Sequence, residues 1–496
     1  MRPILLVLLL ALVAFGGSLA GSFHFDDYSL FSDPVIAAAS GGWHVWELAR
    51  TRPLTYFTFW LNYVAGGKDP VAYHAVNLVL HLAAVWLLFD VLARVIPRGA
   101  AVAAAGLFAL HPIQAEAVNY VFSRSSILMT VFCLLCMRDW LLGRRWRAVA
   151  WFAVALLAKE ECVALPFFFL LLYLSISRNA AELRQIWVMF GLAVVFGIRT
   201  LFAVAVTPGA GVGTQLDMTP VQYFGAQGWA ILRYLWLVIV PVGFTVDPDL
   251  PLKANWLAWV VVGVLCVAAM RWFSGARAGF WFVAGLLLLL PSSSVLAAAD
   301  LAADRRMYLP MVGFSACLGL LLSRLPRPVV PVLCCVLCVL SFVRTQVWKT
   351  EVSLWSDAVE KGPNKIRPKL QLARALPAGE ALPVLLQAKQ LAPEDPQVSS
   401  ELGRVYLENG QPAQALSEFG RQLALAPGDA RAMVNRAVAL AMLGQGDAAK
   451  QDLQRALAKS PCLFEARLNA RRLRMAVPEA NCRFPDEQQR ALADLN

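Results

Sequence analysis

Acidic and basic side chains recur at the short turns between the apolar runs of this 496-residue chain. Asp26 and Asp27 stand side by side after the first run, in GSFHFDDYSLFSDP, and later turns read HPIQAEAVNYVFSR, AKEE and AADRRMYLP. A carboxylate can take a proton from a hydroxyl group, and arginine or lysine can hold an anion. The aromatic neighbours Phe23, Phe25 and Tyr28 should bury the aspartates in part, which would raise a carboxyl pKa.

The composition indicates that these turns join membrane spans. Hydrophobic residues make up 59% of the chain and charged residues 16%, with a mean hydropathy of +0.59, whereas a soluble domain has about 25% charged residues. The net charge of +11 does not indicate nucleic-acid binding, because the arginines sit in short clusters between apolar runs. That pattern fixes membrane orientation.

The length and spacing of the apolar runs predict about eleven spans. Their approximate bounds are 3–20, 73–93, 99–117, 119–137, 147–159, 162–177, 186–206, 254–270, 278–297, 307–323 and 328–344. Basic clusters such as Arg138 to Arg147 fall at every second turn, which makes those turns cytoplasmic. The N-terminus is then inside, and the loop 21–72 and the C-terminus are outside.

Two apolar runs leave alternatives open. The run 226–244 would break this parity if it crossed, so we interpret it as re-entrant or lying along the interface. The first run is either a retained span or a cleaved signal peptide, since GSLA ends in small residues. The orientation of the later spans is the same in both cases.

The soluble tail repeats with a fixed period. Pro393, Pro427 and Pro461 are 34 residues apart, and Gly410 with Gly444 shares this offset. A 34-residue helix-turn-helix period is typical of tetratricopeptide repeats, in which Gly and Ala should mark close helix packing. Such an array offers a peptide-binding face, with a purely structural cap as the alternative.

These patterns divide the chain into three parts. Residues 1–345 form a membrane domain, 346–392 a linker with a degenerate first repeat, and 393–496 the repeat domain. Cys462 and Cys482 lie in the soluble tail, where an extracytoplasmic location would allow a disulfide. No metal ligands are predicted, although a divalent ion could assist the paired aspartates.

Several charged residues can also be interpreted as having no role in catalysis. Arg52 and Lys68 can meet lipid headgroups, Glu116 can pair with Arg124, and Lys159 with Glu160 can form a solvated turn. His74, Asn77 and His81 follow one helical stripe, which more often joins helices than binds metal.

Longer stretches carry a family resemblance. FDDYSLFSDP with TRPLTYFTFWLNYVAGGKDPVAYHAVNLVLH, then HPIQAEAVNYVFSRSSIL, LLAKEECVALP and DRRMYLPMVGF, resemble in order the motifs of GT-C fold membrane glycosyltransferases. Among these they resemble the TMTC-type (transmembrane and tetratricopeptide repeat) O-mannosyltransferases and their bacterial relatives. The resemblance covers nearly the whole chain. It departs at Ser125-Ser126, Asp304 and Arg306, which concerns the donor sugar more than the reaction.

The resemblance implies a fold and a set of roles. The fold is all-α, a polytopic GT-C-like bundle followed by a tetratricopeptide α-solenoid. An acidic residue of the first outer loop is the catalytic base, here Asp27 in preference to Asp26. The cations that hold the donor phosphate are Arg124, Lys159 and Arg305, with Arg199 and Arg306 as looser matches. The further site candidates are His24, Arg52, His111, Glu116, Glu160, Asp304 and Tyr308.

The implied function is transfer of a sugar from a polyprenyl-phosphate donor to a hydroxyl of an extracytoplasmic protein such as a pilin, docked by the repeats. A lipid or cell-surface glycan is the alternative acceptor. A non-catalytic assembly factor and a lipid or sugar transporter are hypotheses of other classes. The Ala-, Leu- and Arg-rich composition favours a bacterial inner membrane, with the active site and the repeats on the periplasmic side.

Overall fold

The computed structural model describes residues 2–33, 35–37, 41–48, 50–206, 218–272, 278–293, 300–482, 484 and 486–495. The last residues of the predicted span 278–297 lie outside these residues. Throughout the described part the regular structure is helical, which confirms the all-α class. The chain divides into two compact units, Met1–Leu354 and Trp355–Asn496.

The first unit is a bundle of apolar helices. They are α1 (Arg2–Phe15), α2 (Ser29–Ser32), α3 (Pro53–Gly66), α4 (Pro70–Leu92), α5 (Arg98–Leu110), α6 (Ala115–Asn119), α7 (Arg124–Leu141), α8 (Arg145–Ala158), α9 (Leu165–Leu172), α10 (Leu183–Val206), α11 (Pro220–Ile239), α12 (Trp256–Trp272), α13 (Ala278–Leu289), α14 (Met311–Leu322) and α15 (Val329–Val347). Helix α16 (Glu351–Lys361) crosses the division between the units.

The bundle contains fewer long spans than the sequence predicts. Among the described residues, six helices are long and apolar enough to cross a membrane, or seven if α5 and the bent 112–119 segment form one span. The predicted number of about eleven is therefore not confirmed. Some of the predicted spans are short helices in the structure: α13 and α14 have 12 residues each. A helix of 12 residues is about 18 Å long, whereas the hydrocarbon core of a membrane is roughly 30 Å thick. Helix α11 is not among the six.

The charged turns of the sequence form short 3-10 helical segments rather than loops. These are Phe25–Tyr28, Pro112–Gln114, Val121–Ser123, Glu160–Ala164 and Asp304–Met307. The first packs on Val121–Ser123, and Asp304–Met307 packs on α6 and Pro112–Gln114. Turns that are far apart in the sequence therefore meet at one end of the bundle.

The second unit consists of antiparallel helix pairs. Its helices are α17 (Ile366–Ala375), α18 (Ala378–Leu391), α19 (Pro396–Glu408), α20 (Pro412–Leu425), α21 (Ala430–Met442), α22 (Gly446–Lys459), α23 (Phe464–Arg472) and α24 (Asp486–Ala493). Prolines 393, 427 and 461 each follow the end of a second helix, as the 34-residue period predicts. A disulfide joins Cys462 and Cys482.

Two repeated glycines have a different role from the predicted one. Gly410 and Gly444 have φ of +69° and +76° and nothing within 4 Å of a built Cβ. They are therefore needed for the left-handed turn between the helices, where other residues are strained, and not for close packing. Close packing occurs at Gly403, where a Cβ would lie 2.4 Å from the Phe419 ring.

Candidate active site

The paired aspartates occupy different environments. Asp27 is completely buried, and its carboxylate accepts the backbone N–H of His24 at 3.0 Å and of Phe122 at 2.7 Å. Burial raises the pKa of Asp27 to about 8, although these N–H groups act to lower it. Asp26 is exposed. The aromatic flanks therefore bury one of the two carboxylates and leave the other accessible.

Tyr120 connects Asp26 to a cation. Its hydroxyl donates to Asp26 Oδ2 at 2.9 Å, and the guanidinium of Arg305 lies 5.8 Å from the centre of its ring. The ring stacks against Trp348 with a centroid distance of 6.3 Å. Tyr120 thus carries a carboxylate at its hydroxyl and a guanidinium on its face, held in place by a tryptophan.

Arg305 is held by two carboxylates. Its guanidinium pairs with Glu116 and, at 3.3 Å, with Asp300, and its backbone N–H donates to Glu116 at 3.2 Å. Burial would lower the pKa of Arg305, but these carboxylates raise it above its usual range, so the residue remains a cation. Its side chain is 27% exposed. An ion pair between Glu116 and Arg124 is one alternative in the sequence analysis. In the structure Glu116 forms its ion pair with Arg305 instead.

A second charged cluster lies at the start of the Glu160–Ala164 segment. Arg52 pairs with Glu160 through two hydrogen bonds, one of 2.9 Å from its Nε. Lys159 is buried and bonds Glu161 at 2.9 Å and the hydroxyl of Ser126 at 2.9 Å. The alternative of a solvated turn does not fit a buried lysine, because burial of a charge requires partners.

Two interactions indicate that the clusters are neighbours. Burial raises the pKa of Tyr56, and the charges of Arg52 and Asp26 both act on it. The charges of Arg305 and Glu161 both shift the pKa of Arg306. The clusters therefore lie within electrostatic range of each other.

Arg306 and Asp304 flank Arg305 on the same segment. Arg306 is buried and donates to the carbonyl oxygens of Leu301 at 3.1 Å and Asp300 at 2.7 Å. Asp304 is buried and pairs with Arg233 of α11 at 2.9 Å. This pair attaches α11, the helix that contains most of the apolar run 226–244, to the site.

Arg124 is not part of these clusters. It is completely buried, and its guanidinium lies 4.5 Å from the centre of the Phe59 ring. Its hydrogen bonds go to neutral oxygen atoms of Thr58, Asn62, Tyr73 and Asn77, at 2.6 to 3.3 Å. A donor phosphate would have to displace these partners.

The other candidates serve mainly as structural contacts. Arg199 donates to the carbonyl oxygens of Glu47 and Arg50, which attaches the outer loop to α10. His24 is buried, its Nε2 lies 2.8 Å from the Trp348 carbonyl, and burial lowers its pKa, so its ring is neutral and packs. Tyr308 bonds His81 at 2.8 Å.

His111 is also buried, and its Nδ1 accepts the backbone N–H of Ile113 at 3.2 Å. Its place is at the bend between α5 and the following 3-10 segment. Among the described residues no group of three or more His, Cys, Asp or Glu side chains could hold a metal ion, so the residues present do not supply a metal site around Asp26.

Tyr120, Ser126, Arg233 and Asp300 join the site without having been candidates from the sequence. Tyr120 lies in the quoted HPIQAEAVNYVFSR turn, but an uncharged tyrosine among aromatic residues gives no signal of its own. Arg233 lies in the run 226–244, where a single arginine within apolar residues indicates a partner. That signal could have found it.

The fold and the charged cluster together define a polytopic helical membrane protein with a candidate active site at one end of its bundle. No family model matches the chain. It is 24% identical over 420 residues to protein O-mannosyl-transferase F38B6.6 of Caenorhabditis elegans, covering 76% of this chain and 60% of that protein. It is 23% identical over 445 residues to human protein O-mannosyl-transferase TMTC3, covering 76% and 48%. These similarities confirm the resemblance to TMTC-type proteins.

The chain spans 60% or less of the length of these two relatives. Among solved structures it is similar to ArnT from Cupriavidus metallidurans bound to undecaprenyl phosphate, with 12% identity, a TM-score of 0.40 and coverage of 91% of this chain and 79% of that one. At that score the likeness does not show a shared fold.

Proposed function

We propose that this protein is an integral-membrane glycosyltransferase that moves a sugar from a polyprenyl-phosphate donor to a hydroxyl of an extracytoplasmic protein. One observation carries the proposal: exposed Asp26 accepts the hydroxyl of Tyr120, and the partly exposed cation Arg305 lies over the ring of the same tyrosine. A base and an anion-binding cation are what this transfer requires. The similarity to protein O-mannosyl-transferases supports the reaction class.

The base is Asp26. A base must reach the attacking hydroxyl and must be ionised at working pH. Asp26 is exposed, and in the part of the chain that the structure describes one side-chain donor, Tyr120, bonds its carboxylate. Asp27 is buried against two backbone N–H groups, and burial raises its pKa to about 8, so it holds its proton at neutral pH. The geometry thus favours Asp26 over Asp27, which instead holds the loop against Phe122.

The transfer then proceeds in one displacement. Asp26 takes the proton of the acceptor hydroxyl, the hydroxyl oxygen bonds to the anomeric carbon, and the bond between that carbon and the phosphate oxygen breaks. The leaving polyprenyl phosphate carries the electron pair, and Arg305 stabilises its charge. The phosphate can replace Asp300, the more distant of the two carboxylates on Arg305, and Arg306 and Lys159 add positive charge nearby. One base with an activated leaving group predicts inversion at the sugar.

The surroundings of the reaction complete the proposal. The domains are 1–345 for catalysis, with 21–72 as the first outer loop, 346–392 as linker and degenerate repeat, and 393–496 for docking of the acceptor. The membrane is a bacterial inner membrane, and the site and the repeats face the periplasm. Helical repeats provide a peptide groove, which supports a protein acceptor over a lipid or glycan.

Mass spectrometry of the extracytoplasmic proteome, with and without this chain, tests the function. We expect one protein to lose a mass of a hexose, pentose or deoxysugar when the chain is absent. Loss of sugar only from a lipid or a surface glycan would transfer the proposal to the other acceptor class. An unchanged proteome and unchanged glycans would contradict a glycosyltransferase.

A further inference from the structure

A cavity of about 270 Å³ lies at the other end of the bundle from the candidate active site. Helix α7 shows the separation, because its Ser126 bonds Lys159 of the site whereas its Met137 and Trp140 line the cavity. The rise from Ser126 to Met137 is about 17 Å. The cavity is therefore a separate feature, and none of its lining residues belongs to the site described above.

The wall of the cavity is mostly apolar and aromatic. It is lined by Met137 and Trp140 of α7, Phe168, Phe169 and Leu172 of α9, and Trp281 of α13. Its volume is just below the roughly 300 Å³ at which ligand pockets begin. Space of this size and character suits a segment of a hydrocarbon chain.

Polar groups occupy one part of the wall. Arg145 pairs with Glu182 at 2.8 Å, and the hydroxyl of Ser177 donates to the other oxygen of Glu182 at 2.7 Å. The Nε of Arg145 is buried and has no hydrogen-bond partner among the described residues. A buried donor without a partner is unfavourable, so an acceptor delivered by a ligand would be favourable there.

The backbone beside these groups is irregular. Ser177 ends a π-helical turn, Tyr173–Ser177, which follows α9 and contributes Ile176 to the wall. Turns of this kind are rare in proteins as a whole. Those that occur are frequently found at functional sites.

Four arginines, here called the rim arginines, lie within two residues of lining residues along the chain and give this region an excess of positive charge. Asp90 faces both Arg94 and Arg138, each at 2.8 Å, and Asp139 faces Arg147 at 3.2 Å and Arg144 at 3.8 Å. Each aspartate thus has two arginines, and all four arginine side chains are 36 to 59% exposed. The positive-inside rule makes this end cytoplasmic.

We propose that this cavity binds one anionic glycerophospholipid of the cytoplasmic leaflet. One acyl chain occupies the aromatic wall, and the phosphate accepts the Nε–H of Arg145 with the rim arginines around it. Basic pockets between membrane helices bind anionic lipids in this way. The lipid is structural, because it lies about 17 Å along α7 from the charged cluster.

Native mass spectrometry of the full chain tests the proposal. The purified protein is incubated with dioleoylphosphatidylglycerol or with dioleoylphosphatidylcholine, and the lipid that survives activation is counted. We expect one phosphatidylglycerol to be retained and phosphatidylcholine to be retained at least about tenfold less, because both lipids carry the phosphate but only phosphatidylcholine adds a choline cation, which the excess of arginines disfavours.

Matched variants locate the lipid. Leu172→Trp fills the cavity, and Arg145→Gln removes the donor, so each should lower phosphatidylglycerol retention about tenfold. Leu174→Trp, which is 58% exposed on the same segment, and Arg327→Gln, which removes the same charge from an exposed position outside the cavity lining, should retain it. Thermal unfolding of each variant verifies that it is folded.

Three results would overturn the proposal. They are no retained phosphatidylglycerol on the unmodified protein, equal retention of phosphatidylcholine, and equal retention by all four variants. The first two do not depend on any variant, so a substitution that prevents folding leaves the proposal open to refutation.

Discussion

Two arginines of the bundle, Arg124 and Arg305, have opposite surroundings. Arg124 is completely buried and bonds only neutral oxygen atoms. Arg305 is 27% exposed and is held between the carboxylates of Glu116 and Asp300. The first arrangement joins α3, α4 and α7, and its guanidinium is not accessible to a substrate. The second leaves a cation that can exchange one carboxylate for a phosphate. A basic residue in a family-like motif can therefore have either role.

The largest expected effect is on catalysis. Asp26→Asn removes the base from the exposed side, and we expect the transfer rate to fall about 10²–10⁴-fold, the usual contribution of a general base. Initial rates in proteoliposomes measure it. Asp33→Asn is the matched control in the same loop, since Asp33 pairs with Arg50 at 2.6 Å, and it should retain most of the rate. Equal losses in both variants would contradict the role of Asp26.

Arg124→Met should act on stability. It leaves the oxygens of Asn62, Asn77 and Tyr73 without their donor, and each orphaned buried acceptor costs about 1–3 kcal/mol. We expect the free energy of unfolding to fall by roughly 3 kcal/mol, with a lower midpoint in thermal unfolding. A variant of normal stability with a lost affinity for donor would instead make Arg124 a phosphate ligand.

Arg305→Gln should act on the reaction instead. We expect the turnover number to fall about 10²-fold, the effect of removing one group that stabilises the leaving charge. The unfolding midpoint should change less than in Arg124→Met, because the glutamine amide can still donate to Glu116, which also keeps the backbone N–H of this position. The comparison between the two arginines fails if both variants lose stability equally.

Asp27 should make stability depend on pH. Burial raises the pKa of Asp27 to about 8 from an ordinary value near 3.8, so between these values the unfolded state is deprotonated while the folded state keeps its proton. The contribution of Asp27 to the free energy of unfolding is fully present below about pH 3.8. It decreases as the pH rises to 8, by up to about 1.4 kcal/mol per pH unit. Unfolding from pH 5 to 9 measures the slope, and Asp27→Asn should flatten it. An unchanged slope in that variant would contradict the assignment.

Tyr120→Phe should have the smallest effect. It removes the hydroxyl that donates to Asp26 and retains the ring beneath Arg305 and against Trp348. We expect a loss of about tenfold in rate, the value of one hydrogen bond to a charged group, with a shifted pH profile. A decrease in rate without any shift of the profile would mean that Tyr120 does not act through Asp26.

Much of the fold could be predicted from the sequence because its signals are periodic. The 34-residue spacing of Pro393, Pro427 and Pro461 indicates the helical repeats directly, and the apolar runs indicate a membrane bundle. The number of long spans could not be predicted in the same way. Composition does not show where a helix begins and stops: α13 and α14 have 12 residues each, whereas the apolar runs that contain them are predicted over 278–297 and 307–323.

Individual charged residues of the site could be predicted from the sequence, but their ion-pair partners could not. The charged turns identify Asp26, Glu116, Glu160 and Arg305 as residues of interest. Their partners come from distant turns, so spacing along the chain cannot tell that Glu116 takes Arg305 and not Arg124. The difference between adjacent Asp26 and Asp27 also depends on the 3-10 turn, which directs one carboxylate inward to Phe122 and leaves the other exposed.

The most direct test of the central claim uses the purified protein in proteoliposomes. It is given a polyprenyl-phosphate sugar of the mass found in the proteome experiment, together with the acceptor protein found there. We predict that glycosylated acceptor and free polyprenyl phosphate form in equal amounts, with inverted configuration at the sugar and without any sugar nucleotide. Absence of product, or transfer that depends on a sugar nucleotide, would contradict the account.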